Sequence, residues 1–181
     1  MILISHRGNL DGSNPKNENT QEYIQEALDS GFHVEIDIWR KNNKLFLGHN
    51  KPENEVEEGW LLDRREKLWV HAKNPEALFY LTYSHLSRDK CLCVFFHENE
   101  RYAIIQNGRN EHGILVDGLI WAHDTTNLNS KCIIPVLHQM QWNKLNHPYH
   151  PSIKIPKQKI WGICSDYVSE LQIKLQNNND E

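Results

Sequence analysis

Ile2-Leu3-Ile4-Ser5-His6-Arg7-Gly8 and Phe32-His33-Val34-Glu35-Ile36-Asp37-Ile38-Trp39 decide the fold. Each is a short run of β-branched and aromatic residues bounded by turn formers, the pattern of a strand. Between them Asn19 and Glu22 read as a capping box, and Tyr23, Ile24, Ala27 and Leu28 form one helical stripe that Gly31 ends. Strand, helix, strand predicts a parallel unit with a right-handed crossover. Asn42-Asn43 then turns the chain into a return strand over Lys44-Leu45-Phe46-Leu47, which delivers Gly48-His49.

Beyond this unit an acidic loop covers residues 53–63, a third strand 67–70, and Asn74-Pro75 opens a helix reaching Leu86. Further strands are predicted at 92–96, 102–106, 118–123, 132–137 and 160–165, the 102–106 and 118–123 pair antiparallel across the 108–113 loop. A helix over 167–176 and a polar tail over 177–181 end the chain. The expectation is one α/β domain over residues 1–176. Its form is a compact TIM-like (β/α) barrel with shortened or missing helices in the second half. The chain has 181 residues, whereas a complete barrel of this kind takes about 250. An open α/β sheet is the alternative, but it calls for a Gly-rich phosphate loop after the first strand, and His6-Arg7-Gly8 is not one.

Composition removes several function classes. A net charge of −4 leaves no basic footprint for nucleic acid. No apolar run approaches the roughly 18 residues that suggest a transmembrane segment. The start of the chain reaches His6-Arg7 too early for a signal peptide, so a cytoplasmic protein is expected. Cys91, Cys93, Cys132 and Cys164 lack C-x-x-C spacing and read as buried free thiols.

The chemistry gathers at the C-terminal ends of the predicted strands, where parallel α/β folds place working residues. Those ends carry His6-Arg7, Glu35-x-Asp37, His49 and His71-x-Lys73. Strand side chains alternate, so Glu35 and Asp37 share one face, as do His71 and Lys73. Two adjacent carboxylates repel unless neutralised; a divalent metal is the economical solution, and Lys73 alone as counter-charge is the alternative. Each element is weak singly; their convergence on one mouth is the argument. Glu18 and Asn19 serve equally as helix caps or as support for the site. Asp166 reads better as a cap of the last helix than as a site residue. His97-Glu98 and His123-Asp124 are further candidate contacts, and Trp39, Trp121 and Trp161 default to core packing. The run from His147 to Pro151 reads as an exposed loop, and Ser5 lies outside any Gly-x-Ser-x-Gly elbow.

This ordered set, His6-Arg7-Gly8, Glu18-Asn19-Thr20, Glu35-x-Asp37 and His49, resembles the glycerophosphodiester phosphodiesterase family of phospholipase-C-like barrels. The closing Gly162-Ile163-Cys164-Ser165-Asp166-Tyr167 is similar to that family's last strand. The resemblance implies His6 and His49 as the general acid/base pair, Glu35 and Asp37 as metal ligands, and Arg7 and Lys73 as phosphate contacts. The family carries Glu-x-Lys where this chain has His71-Ala72-Lys73, so His71 is the candidate third ligand. The implied cofactor is one divalent ion, Mg, Mn or Ca, with Zn admitted by the imidazole. The implied activity is hydrolysis of a small phosphodiester substrate. The alternative is a non-catalytic barrel relative that binds a phosphorylated ligand or a partner protein.

Overall fold

The computed structural model describes residues 1–83, 92–123, 127–137 and 159–177. In chain order the elements are β1 (Ile2–His6), α1 (Gln21–Asp29), β2 (His33–Lys41), β3 (Lys44–Leu47), β4 (Asn54–Val56), α2 (Glu58–Asp63) and β5 (Leu68–Ala72). They continue with α3 (Pro75–Tyr83), β6 (Cys93–Phe95), β7 (Tyr102–Ile104), β8 (Ile120–Ala122), β9 (Cys132–Val136), β10 (Gly162–Ser165) and α4 (Val168–Asn177). The strands form a single mixed sheet of order β4-β3-β2-β1-β10-β9-β8-β7, with β5 on β2 and β6 on β5. The sheet curls until the β6 end meets the chain just past β7. There Val94 and Gln106 form one antiparallel bridge, with N–O distances of 2.9 and 2.7 Å.

The predicted (β/α) barrel is therefore corrected to a curled mixed sheet carrying only four short helices among the described residues. The reason lies in the connections. A parallel crossover needs about a dozen residues or more to hold a helix. Parallel β8 and β9 are joined by residues 123–131 alone. Residues 96–101 between β6 and β7 are fewer still, and β7 runs antiparallel to β8, as the sequence pattern indicated. The 53–63 stretch, expected as a loop, instead holds β4 and α2. Its Val56 and Leu61 are apolar anchors buried in the core beneath α1 and α3.

Alternation along each strand divides the core. Val34, Ile36 and Ile38 of β2, Val70 of β5 and Val94 of β6 face outward under Ile24 and Ala27 of α1 and Ala77 and Leu81 of α3. Ile4, Trp69, Cys93, Phe95, Trp121, Ile133 and Cys164 fill the inside of the curl. Cys93, Cys132 and Cys164 are free and buried, as expected of small apolar side chains. Cys91, Asp124, the predicted end of α3 at Leu86 and the 147–151 loop lie outside the described residues.

Two local features set up the site. Asn42 and Asn43 both have positive φ (51° and 62°), which the two-residue turn between β2 and β3 requires. Asn19, read as the cap of α1, instead has φ 57°, and Thr20 is the cap, accepting from the Tyr23 amide at 3.3 Å. Asn19 is thereby freed to turn its side chain toward β2.

Candidate functional site

On β1 and β5 the inward face changes from apolar to polar at the strand end, where Ile4 gives way to His6 and Trp69 to His71. Glu35 and Asp37 project from β2 and His71 from β5, all buried, with Asp37 opposite His71 in the parallel register. Their ligand-type atoms lie within 4.8 Å of one another. His71 Nδ1 is 3.0 Å from Asp37 Oδ1 and 3.9 Å from Glu35 Oε1. This buried group could hold a metal ion.

Asp37 is the hub. Arg7 Nε lies 2.8 Å and His49 Nδ1 3.1 Å from Oδ2, and Lys73 Nζ lies 3.5 Å from Oδ1. Asn19 grips the same residue twice, donating Nδ2–H to Oδ2 and accepting the Asp37 amide at Oδ1, each at 3.0 Å. Burial acts to raise the Asp37 carboxyl. The hydrogen bonds from His49 and His71 and the Arg7 charge outweigh it and hold the group well below the carboxylate range. Glu35 goes the other way: burial first, then the Asp37 charge, push it well above the usual range against Arg7 and Lys73. Its Oε2 is buried without a hydrogen-bond partner.

The tautomer of His71 sharpens the case for a cation. Its Nε2 lies 3.2 Å from the His97 carbonyl, which can only accept, so Nε2 carries hydrogen. In a neutral ring Nδ1 would be a lone pair aimed at two carboxylates, so its hydrogen bond to Asp37 needs a proton there that a bound cation would replace. Without a proton or a cation between them that contact is repulsive. A carbonyl bound to the far ring nitrogen is also how ligating histidines are oriented. The orphaned Glu35 oxygen and this lone pair fit a divalent ion. The mixed O,O,N donor set suits Mn or Zn better than Ca or Mg.

Two further histidines line the cleft above this group. His6, at the end of β1, places Nδ1 2.7 Å from Asp166 Oδ1 and Nε2 3.8 Å from Glu35 Oε2. Burial raises Asp166, but the hydrogen bond and charge of His6 and the Asn9 amide lower it further, so it is ionised and fixes the proton on His6 Nδ1. His49 stands at the rim, its side chain 41% exposed. Gly48 positions it with φ 146°, its amide on the Asp37 carbonyl and its own carbonyl accepting from Trp39 Nε1 at 2.6 Å. Arg7 Nη2 lies 2.7 Å from His49 Nδ1, and Nη1 donates to Glu18 at 3.1 Å. Burial opposes the Arg7 charge, but Asp37, Glu35 and Glu18 raise its pKa. Ser13 and Asn9 donate to Glu18 and, with Arg7, lower its carboxyl against burial.

The cleft encloses about 420 Å³. Its wall is formed by His6, Arg7, Glu35, His49, His71 and Lys73 together with Phe96, His97, Glu98, Trp121, His123, Pro135 and Leu137. His97 is pushed down to about 3 by burial, then by the neighbouring His71, His123 and Lys73.

Of the residues assigned from the sequence, His6, Arg7, Glu35, His49, His71 and Lys73 line one cleft, and Asp37 is bonded among them. Glu18 and Asn19 act as braces, Glu18 on Arg7 and Asn19 on Asp37, and neither caps α1. Two residues were missed. Asp166, read as a helix cap, is the partner of His6. Asn9, unmarked in the sequence, is fully buried and donates to Glu18 at 2.9 Å and Asp166 at 2.8 Å, tying the first loop to the last strand. No spacing signals a contact between residues 9 and 166; the closing Ser-Asp-Tyr resemblance was the one available clue. Comparison with family models, curated proteins and solved structures finds no match for this chain. Among the described residues no helix is long and apolar enough to cross a membrane.

Proposed function

We propose that this chain is a metal-dependent phosphodiester hydrolase of the glycerophosphodiester phosphodiesterase type. The observation that carries the reading is the buried Glu35–Asp37–His71 donor group lying directly under a cleft lined by His6 and His49. A divalent ion held by those three residues would neutralise the charge that spreads over the phosphoryl oxygens. Arg7 and Lys73 line the same wall and bind non-bridging oxygens. His6, with Asp166 fixing the proton on Nδ1, presents Nε2 as the base that takes the proton from an attacking hydroxyl. The new P–O bond forms from that oxygen, the P–O bond to the leaving alkoxide breaks, and His49 delivers a proton to the departing oxygen. A hydroxyl next to the substrate phosphate is the expected first nucleophile, giving a cyclic phosphate that water then opens.

The test uses a glycerophosphodiester and a chromogenic phosphodiester with Mg²⁺, Mn²⁺, Ca²⁺ or Zn²⁺, with and without chelator. Turnover should require metal, favour Mn²⁺ or Zn²⁺, and disappear in His6→Ala and His49→Ala. Phosphorylated ligand bound without turnover under every metal would instead identify a non-catalytic relative of such enzymes.

A further inference from the structure

The lining of the same cleft carries a pair of imidazoles that the proposed chemistry does not use. His97 follows β6 and His123 follows β8, and both line the cleft. Their Nε2 atoms face each other at 3.3 Å, with the rings 4.5 Å apart and edge to face. We infer that His97 and His123 form a second metal site, selective for a borderline transition ion such as Zn²⁺, Ni²⁺ or Cu²⁺.

The separation is the first argument. Two imidazole nitrogens bound at about 2.0–2.1 Å to one tetrahedral ion lie roughly 3.3–3.4 Å apart, the edge of that tetrahedron. The observed distance equals that edge and is long for a hydrogen bond. The second argument is that the pair is held in place before any ion arrives. The His97 ring stacks on His71 at 4.3 Å and lies nearly parallel to Phe95 at 5.9 Å, while its carbonyl accepts from His71 Nε2. His123 follows directly from buried Ala122, whose strand is clamped between β7 and β9. The third argument is chemical class. Imidazole nitrogens select Zn²⁺, Ni²⁺ and Cu²⁺ over Mg²⁺ and Ca²⁺. With two protein ligands, such an ion keeps positions open toward the cleft for water or an anionic oxygen. This site does not depend on the phosphodiesterase reading, since neither histidine has a role in it.

The test is metal stoichiometry on the metal-free full-length chain, with Zn²⁺ and Cu²⁺ as probes, counting equivalents that survive gel filtration. The unsubstituted protein should retain two. His123→Gln and Glu35→Gln should each retain one, and the double variant none. The copper retained by Glu35→Gln should show coupling to two imidazole nitrogens by electron paramagnetic resonance. Circular dichroism checks folding, and His97→Asn replaces His123→Gln if the latter is unfolded. No equivalent retained by Glu35→Gln, or uptake unchanged by either histidine substitution, overturns the site.

Discussion

At the scale of single residues, the polarity of one carboxylate–imidazole pair does most of the chemical work. His6 can act as a base only while its proton stays on Nδ1, and ionised Asp166 at 2.7 Å holds it there. An amide at position 166 can donate to Nδ1 and move the proton to Nε2, so Asp166→Asn should leave the fold intact and remove the base. The expected loss is about 10²–10⁴ in kcat with little change in KM, by analogy with the aspartate of a serine protease triad. The acidic limb of the kcat pH profile should shift with it, an effect that loss of packing alone would not produce. An unchanged profile and rate would remove His6 from the base role. A second buried histidine has a purely structural consequence. His33 accepts from Trp69 Nε1 at 3.1 Å, and burial, then Lys67, lower it to about 4. Its folded pKa lies below the unfolded one, so the unfolded chain binds the extra proton. The stability His33 supports is complete above about pH 6.5 and drains away as pH falls toward 4, about 3 kcal/mol in all. Urea unfolding at pH 7 and pH 4.5 should show this, and His33→Gln should flatten the difference.

Among the elements, the start of α1 shows how a local signal and a distant contact compete for one residue. Asn19 satisfies the sequence rule for a cap, yet Asp37, buried and in need of donors, claims its side chain. Thr20 then caps one residue later. Thr20→Ala should cost about 1 kcal/mol, the usual worth of a cap. Asn19→Ala should cost more, about 2–3 kcal/mol, because it leaves buried groups unpaired and puts alanine at positive φ. Asn19→Gly should recover about 1 kcal/mol of that, the backbone share. Equal costs for Thr20→Ala and Asn19→Ala in denaturant titrations would contradict this division. The same competition explains what could be read from the sequence. β1, β2, the Asn42-Asn43 turn, β5 and the side chains they aim inward follow from alternation and turn chemistry, which are local. The antiparallel β7–β8 pair was legible for the same reason. The missing helices were less so, because whether a connection holds a helix depends on which strands end up adjacent. Asp166 was read first as a helix cap and Asn9 went unmarked, because the contact that joins them links opposite ends of the chain.

Across the whole molecule, the inside of the curl packs Ile4, Trp69, Cys93 and Phe95 beside buried Glu35, Asp37 and His71, with almost no water to share the charge. Without an ion this arrangement survives by compromise: Asp37 keeps its charge among four basic groups, while burial and the Asp37 charge push the Glu35 carboxyl up. An ion bound there would relieve that burden and tie β2 to β5, so binding should stabilise the entire fold. At a free concentration 100 times its dissociation constant, a ligand bound only by the native state adds about 2.7 kcal/mol. For a chain of this size that corresponds to a rise in Tm of roughly 5–10 °C. The measurement belongs in the His123→Gln background, so that only the Glu35 group reports. Mn²⁺ and Zn²⁺ should raise Tm there, and a chelator should reverse the rise. Glu35→Gln should melt close to the metal-free parent, since it removes a charge that burial disfavours, and should gain nothing from either ion. A rise that persists undiminished in Glu35→Gln would place the ion elsewhere. No rise with any divalent ion would mean that Lys73 and Arg7 alone balance the two carboxylates.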